Sequence, residues 1–297
     1  MGELTPERRA RINRIKKVLV RINFTVIFVL FAACIILLIR NVILSGRIEQ
    51  INEELQKEKE LNKSPDTDEE TTKTEISTED LSSISVNPEL VYEKIAYLTF
   101  DDGPSENTYN ILDILDRYKI KATFFVNGKE GAASEERYKE IVNRGHSIGM
   151  HSYTHDFGQV YESMESFSQD TERIHAYIQN ITGVDTHLYR FPGGSSTTRT
   201  THILEYIDYI GTLGYKYFDW NVSSGDAATV SLTADAIVEN VMNGVTGHNR
   251  VIVLMHDSAA RDTTVEALPT IIENLINEGY EILPIVETTT PVHHTVN

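Results

Sequence analysis

The sequence predicts an α/β domain with a parallel sheet, carried behind a single membrane anchor. Three observations predict it. Short apolar, β-branched runs alternate with amphipathic stretches from residue 91 to residue 289, as parallel strands joined by crossover helices do. The chemically unusual polar residues fall at the C-terminal ends of those runs, where parallel β/α sheets open their sites. An apolar stretch behind a basic N-terminus has the length and flanks of a membrane helix.

Composition bounds the class. The chain has 297 residues, 40% hydrophobic and 24% charged, enough apolar material for a real core. A wholly disordered chain and a polytopic membrane protein are excluded. The single cysteine, Cys34, excludes an internal disulfide framework and any multi-cysteine metal site. A net charge of −17 repels phosphate backbones and argues against nucleic acid as a partner.

Residues 1–21 hold seven basic side chains against Glu3 and Glu7, a net +5 that leaves −22 on the remainder. Two sides of a membrane account for that asymmetry, and the positive flank stays inside. Residues 1–21 are therefore a cytoplasmic tail. From Ile22 to Ile39 runs an 18-residue apolar segment, interrupted by Asn23 and Thr25. Val42, Ile43 and Leu44 extend it if Arg40 snorkels, so 22–44 is the transmembrane anchor. No small-x-small cleavage site stands between Arg40 and Arg47. Phe31-Ala32-Ala33-Cys34 is a poor lipoprotein box, because the residues after Cys34 stay apolar. Residues 45–90 form a juxtamembrane helix, with Ile48, Ile51 and Leu55 on one face, followed by an acidic, Ser/Thr-rich spacer too polar to order itself.

The globular domain is expected over 91–289, with a tail at 290–297. Strands are predicted over 95–100, 123–126, 147–150, 188–191, 215–219, 251–255 and 281–285. Helices are predicted over 109–117, 135–143, 164–180, 201–213, 233–245 and 265–278. Seven strands suit a closed barrel or an open doubly wound sheet. No G-x-G-x-x-G follows the first strand, so a dinucleotide site has no support.

The polar residues at the strand ends carry chemistry. His151 and His155, at i and i+4, bring two imidazoles together, and Asp102 completes a three-ligand metal set with positions open for water and substrate. Asp101 beside it is a general base or a turn-capping carboxylate. Arg190 pairs with Asp101 or braces the sheet. The residues alone leave His256 as a general acid, a third histidine ligand or a buried structural histidine. They leave Asp219 to orient His256 or cap a loop, and Trp220 to wall an acyl pocket or pack in the core. Tyr153, Tyr161 and Tyr189 are weak candidates for stacking on sugars.

Taken together, Thr99-Phe100-Asp101-Asp102-Gly103-Pro104, His151-Ser152-Tyr153-Thr154-His155, Arg190-Phe191-Pro192-Gly193-Gly194, Asp219-Trp220 and Leu254-Met255-His256-Asp257 resemble the five ordered motifs of the polysaccharide deacetylases. These are the NodB-like enzymes of carbohydrate esterase family four. The resemblance spans about 94–286. It implies a distorted (β/α)7 barrel and metal-dependent removal of N- or O-acetyl groups from a glycan. It also implies roles: Asp101 the base; Asp102, His151 and His155 the metal ligands; Arg190 the holder of the base. Gly193 offers a backbone N–H to the oxyanion, Asp219 tunes the acid, Trp220 lines the pocket and His256 is the acid. Lys216 stands where an acidic residue is usual, and Gly193 where a bulky one is.

One divalent metal ion is expected. Zinc suits two histidines and a carboxylate with open positions, and cobalt, nickel, manganese and iron bind the same donors. An enzyme tethered outside the membrane by a flexible stalk works next to the cell wall. The expected activity is deacetylation of peptidoglycan N-acetylglucosamine, with cell-wall glycan and membrane as partners. The alternatives are another acetylated glycan (N-acetylmuramic acid units, chitin-like oligomers or xylan), or a catalytically silent glycan-binding module of the envelope.

Overall fold

A computed structural model describes residues 91–227 and 232–296. The predicted tail, anchor and linker lie outside the described residues. Among the described residues no helix is long and apolar enough to cross a membrane.

Among the described residues, eight strands form one parallel sheet. β1 (Ile95–Asp101), β2 (Thr123–Asn127), β3 (Ser147–Ser152) and β4 (Leu188–Tyr189) lead to β5 (Lys216–Tyr217), β6 (Val222–Ser223), β7 (Arg250–His256) and β8 (Glu281–Ile282). Their order is β5-β4-β3-β2-β1-β7-β6, with β8 on the start of β1. The helices between them are α1 (Thr108–Tyr118), α2 (Ala132–Asn143), α3 (Phe157–Val160), α4 (Met164–Thr182), α5 (Ile203–Thr212), α6 (Ala234–Val245) and α7 (Asp262–Asn277). The alternation read from the sequence is thus present, with two additions, the short α3 and β6.

β1 is buried along its whole length, which explains why it reads as a continuous apolar run rather than an alternating one. Its period-two geometry divides the core. Ala96, Leu98 and Phe100 join Phe124, Val253 and Met255 in the large core that includes helix residues such as Ile111, Ile174 and Leu268. Ile95 and Tyr97 join Phe125, Leu188, Phe218, Ile252 and Ile285 in a second, smaller cluster. Each buried Phe or Leu side chain contributes about 1.5–3 kcal/mol. A one-residue slip of β1 would exchange the two sets, so the register is strongly specified. By the same parity Thr99 and Asp101 lie on the face of Ile95 and Tyr97.

The predicted strand 215–219 is where sequence and structure part. Regular pairing stops at Tyr217 and resumes at Val222. Lys216 and Tyr217 pair with β4, whereas Val222 and Ser223 pair with β7. One continuous chain segment therefore supplies both edges of the sheet, which curls into a half-barrel. Asp219 and Trp220 sit in the break, where no strand neighbour claims their backbones.

Candidate active site

All strands are parallel, so their C-terminal ends share one face. Asp101 ends β1, and His256 ends β7 directly opposite it in register. His151 lies near the end of β3, and Arg190 follows β4.

Arg190 organises the interior. It is completely buried, with its guanidinium 4.2 Å above the Phe125 ring. Nη1 donates to Asp101 Oδ1 at 2.8 Å and to Thr99 Oγ1 at 2.7 Å, and Nε donates to the Phe218 carbonyl at 2.8 Å. A buried cation needs a partner charge and satisfied donors. Asp101 supplies the charge, and one of its oxygens is thereby taken. Its other oxygen lies 3.9 Å from His151 Nε2.

Asp102, His151 and His155 converge, their ligand atoms all within 4.8 Å of one another. His155 Nε2 is 3.1 Å and His151 Nε2 3.7 Å from Asp102 Oδ1. His151 Nδ1 lies 2.8 Å from the Arg190 carbonyl. A carbonyl only accepts, so Nδ1 carries the proton and the Nε2 lone pair is left for a metal, the usual arrangement of a ligating histidine. Burial, reinforced by His151, holds the His155 pKa below its usual value, which keeps the ring a neutral donor. Burial opposes ionisation of Asp102, but His151, His155 and His256 together outweigh it and lower its pKa. Two imidazoles and a carboxylate fit a divalent ion of the zinc type.

Asp102 (φ 73°) and His155 (φ 53°) both occupy the left-handed region, uncommon for non-glycine residues and found where surroundings over-determine the backbone. At His155 the cause is visible. Its N–H donates to Ser152 Oγ at 2.8 Å, and Ser152 in turn donates to Asp170 of α4 at 2.8 Å. Asp170 also accepts from Tyr153 N–H, Thr154 N–H and Thr154 Oγ, each at 2.9 Å. One buried carboxylate thus ties down the turn between the two histidines. Asn127 Nδ2 donates to Asp102 Oδ1 at 3.1 Å and steadies the third ligand.

The partner of His256 corrects the sequence reading. Asp219 does not touch it. Asp226 does: its Oδ1 is 2.7 Å from His256 Nδ1, and its Oδ2 accepts from the His256 N–H at 2.8 Å and from Thr264 Oγ1 at 2.9 Å. Burial disfavours a charged His256, but Asp226 more than compensates, so the imidazole pKa is raised and that of Asp226 lowered. Asp219 instead accepts from the Ser195 N–H and Oγ and from the His294 N–H. The physical reason is the break in the 216–223 segment. Asp219 precedes the crossing to β7, whereas Asp226 follows β6, the strand beside His256. Nothing local in the sequence separates the two carboxylates.

Gly193 and Gly194 adopt φ of 78° and 77°, and Gly193 is exposed. A side chain at Gly193 would meet Thr197 Oγ1 at 3.0 Å and the Phe157 ring at 3.1 Å. Phe157 stands edge-on to His155, so it borders both the metal cluster and the Gly193 loop. Trp220 is half-buried, near the Arg190 guanidinium and edge-on to His294. Tyr161 and Tyr189 are buried in the core, and Tyr153 lies under the Arg173 guanidinium. Lys216 is exposed, with Nζ on the Glu287 carbonyl. Asp170, Asn127, Phe157, Asp226 and His294 were not singled out in the sequence. Asp226 carried only the weak signal of an acidic residue six positions beyond the Asp219-Trp220 motif, whereas Asp170 lies fifteen positions beyond His155, with nothing local to mark it.

A family model described as polysaccharide deacetylase matches residues 91–212. A peptidoglycan-N-acetylglucosamine deacetylase of Bacillus cereus is 35% identical over 196 residues, covering 63% of this chain and 68% of the relative. A chitin deacetylase of Colletotrichum lindemuthianum is 30% identical over 200 residues, covering 64% and 77%. The crystal structure of the catalytic domain of a peptidoglycan N-acetylglucosamine deacetylase from Eubacterium rectale is similar with a TM-score of 0.67 and 38% identity. That match covers 73% of this chain and all of the other.

Proposed function

The chain belongs to the polysaccharide deacetylase family, and on that premise we propose that it hydrolyses N-acetyl groups of cell-wall glycan, with peptidoglycan N-acetylglucosamine as substrate. The observation that carries this reading is the placement of Asp101 and His256 in register on adjacent strands, beside the Asp102–His151–His155 cluster. An acid and a base flanking one electrophilic centre are what amide hydrolysis needs.

Asp102, His151 and His155 would hold a divalent ion, zinc in the first instance. Such an ion supplies a Lewis acid that acidifies water and polarises an acetyl carbonyl. Asp101 takes the proton of the attacking water. Arg190 occupies Oδ1, which directs the proton to Oδ2, the oxygen nearer His151. The Gly193 N–H donates to the carbonyl oxygen as it gains charge. His256 then protonates the departing glucosamine nitrogen. Asp226 accepts from Nδ1–H, so the mobile proton is the one on Nε2, and the raised pKa favours its retention. Trp220 lines the pocket.

The +5 flank before Ile22 supports an anchored topology, with residues 1–21 cytoplasmic, 22–44 in the membrane, 45–90 as spacer and the domain facing the wall. Acetate release from peptidoglycan, chitooligosaccharides and acetylxylan, measured side by side before and after chelation, tests the function. Release from peptidoglycan that chelation abolishes is the expected result. Release from xylan alone would assign a different glycan, and no release from any of the three would leave a glycan-binding module.

A further inference from the structure

The chain after β8 does not leave the domain as a tail. It returns to the break in the 216–223 segment. The Asp219 N–H donates to the Val292 carbonyl at 2.9 Å, and the His294 N–H donates to Asp219 Oδ2 at 2.8 Å. His293 stacks on Tyr217 at 3.8 Å and 10°. Residues 292–294 thus fill the gap that the bent strand leaves open, 75 positions away from it in sequence.

The His294 ring reaches further. Nε2 is 2.9 Å from the Trp220 carbonyl, and Nδ1 is 2.9 Å from Ser196 Oγ. The carbonyl fixes the proton on Nε2, so Nδ1 accepts from the Ser196 hydroxyl. The ring also stands edge-on to the Trp220 indole, 4.6 Å away. A Cβ on Gly194 would lie 2.9 Å from Trp220 and 3.2 Å from His294 Nδ1. Gly194 is therefore pressed directly against both rings, one residue from Gly193. On the other side, the fully buried Asp219 carboxylate holds Ser195 through its N–H and hydroxyl. Ser195 and Ser196 are both gripped by the same assembly, and Gly193-Gly194 has little freedom left.

We propose that His294 is a positioning residue: with Asp219 it clamps the 192–197 loop and so holds the Gly193 N–H where the oxyanion forms. Oxyanion donors act only if held within about 0.5 Å of their productive place. An interaction realised in the transition state appears in kcat rather than in KM. The part played by Gly193 in turnover rests on the deacetylase reading above, whereas the clamping of its loop does not.

The test compares the full wild-type chain with H294A, S196A and H294Q. Amide hydrogen exchange over 192–197 is read against exchange over β1, alongside bound metal and kcat and KM for acetate release. H294A is expected to speed exchange over 192–197 while leaving β1 and the metal content unchanged. It should lower kcat by about tenfold or more, a fraction of the loss on removing an oxyanion donor outright, with KM changed by less than about threefold. S196A removes only the loop-side partner and should show the same pattern more weakly, even if H294A folds poorly. H294Q, which offers both a donor and an acceptor, should recover part of kcat. Unchanged exchange over 192–197 in both H294A and S196A overturns the clamp, whatever the activity. Faster exchange with wild-type kcat overturns its role in turnover. Absence of acetate release by the wild type would instead defeat the deacetylase reading and leave the exchange result to decide the clamp.

Discussion

Asp101 and His256 are the last residues of β1 and β7 and face each other in register across two adjacent parallel strands. Each is buried or nearly so, and each is held by a charge of opposite sign, Arg190 for the aspartate and Asp226 for the histidine. The separation of the proposed acid from the proposed base is thus written into backbone pairing rather than into a flexible loop. The two roles separate experimentally. Asp101→Asn is expected to keep its metal and lose about 10²–10⁴-fold in rate, the usual contribution of a general base. His256→Ala should also keep its metal and should slow an N-acetyl substrate more than an O-acetyl ester, because an alkoxide leaves with less help than an amine. Wild-type activity per bound metal in Asp101→Asn would refute the base assignment.

In the proposed mechanism the partner of His256 sets the upper pH limit of activity. A general acid works while protonated, so the rate falls as pH rises through its pKa. Asp226 raises that pKa. Asp226→Asn should therefore move the basic limb of the pH–rate profile to lower pH, by about one unit or more for loss of an adjacent opposite charge. Asp219→Asn should lower the rate without moving that limb, since Asp219 holds the Ser195 loop and not the histidine. A limb that moves with Asp219→Asn and stays with Asp226→Asn would reverse the assignment.

Metal binding should depend on the three ligands and on the carboxylate behind them. Asp102→Ala, His151→Ala and His155→Ala each remove one of three donors and should abolish stoichiometric metal in the purified protein. Asp170→Asn removes no ligand, but it places an amide N–H against groups that are already donors. Metal affinity in a titration should fall by about 10–100-fold, as for other groups that orient ligands from behind. Equal affinity in Asp170→Asn would show that the 151–155 turn holds itself.

Topology is testable on intact cells. Protease added outside should remove the catalytic domain and spare an epitope fused before residue 22. A protected domain would contradict the reading of the basic flank.

The sequence by itself determined the elements with short-range causes. Seven strands and six helices follow from local periodicity. The two histidines of the metal cluster are four residues apart, and Asp101 and Asp102 are neighbours. Residues so close in the chain keep their relation in any fold that preserves the local backbone, so their chemistry is visible in the letters. The order of polar residues along the chain also placed the site at the strand ends, because parallel strands put those ends on one face. Only the tertiary structure decided which carboxylate serves His256, what braces the histidine turn, and where the chain goes after β8. Asp219 and Asp226 stand seven positions apart on one segment. A bend between them sends the first toward the Gly193 loop and the second toward β7. That bend arises because the segment pairs with β4 at one end and β7 at the other. Pairing between strands far apart in sequence leaves no local trace, and neither does the gap it opens, which residues 292–294 return to fill.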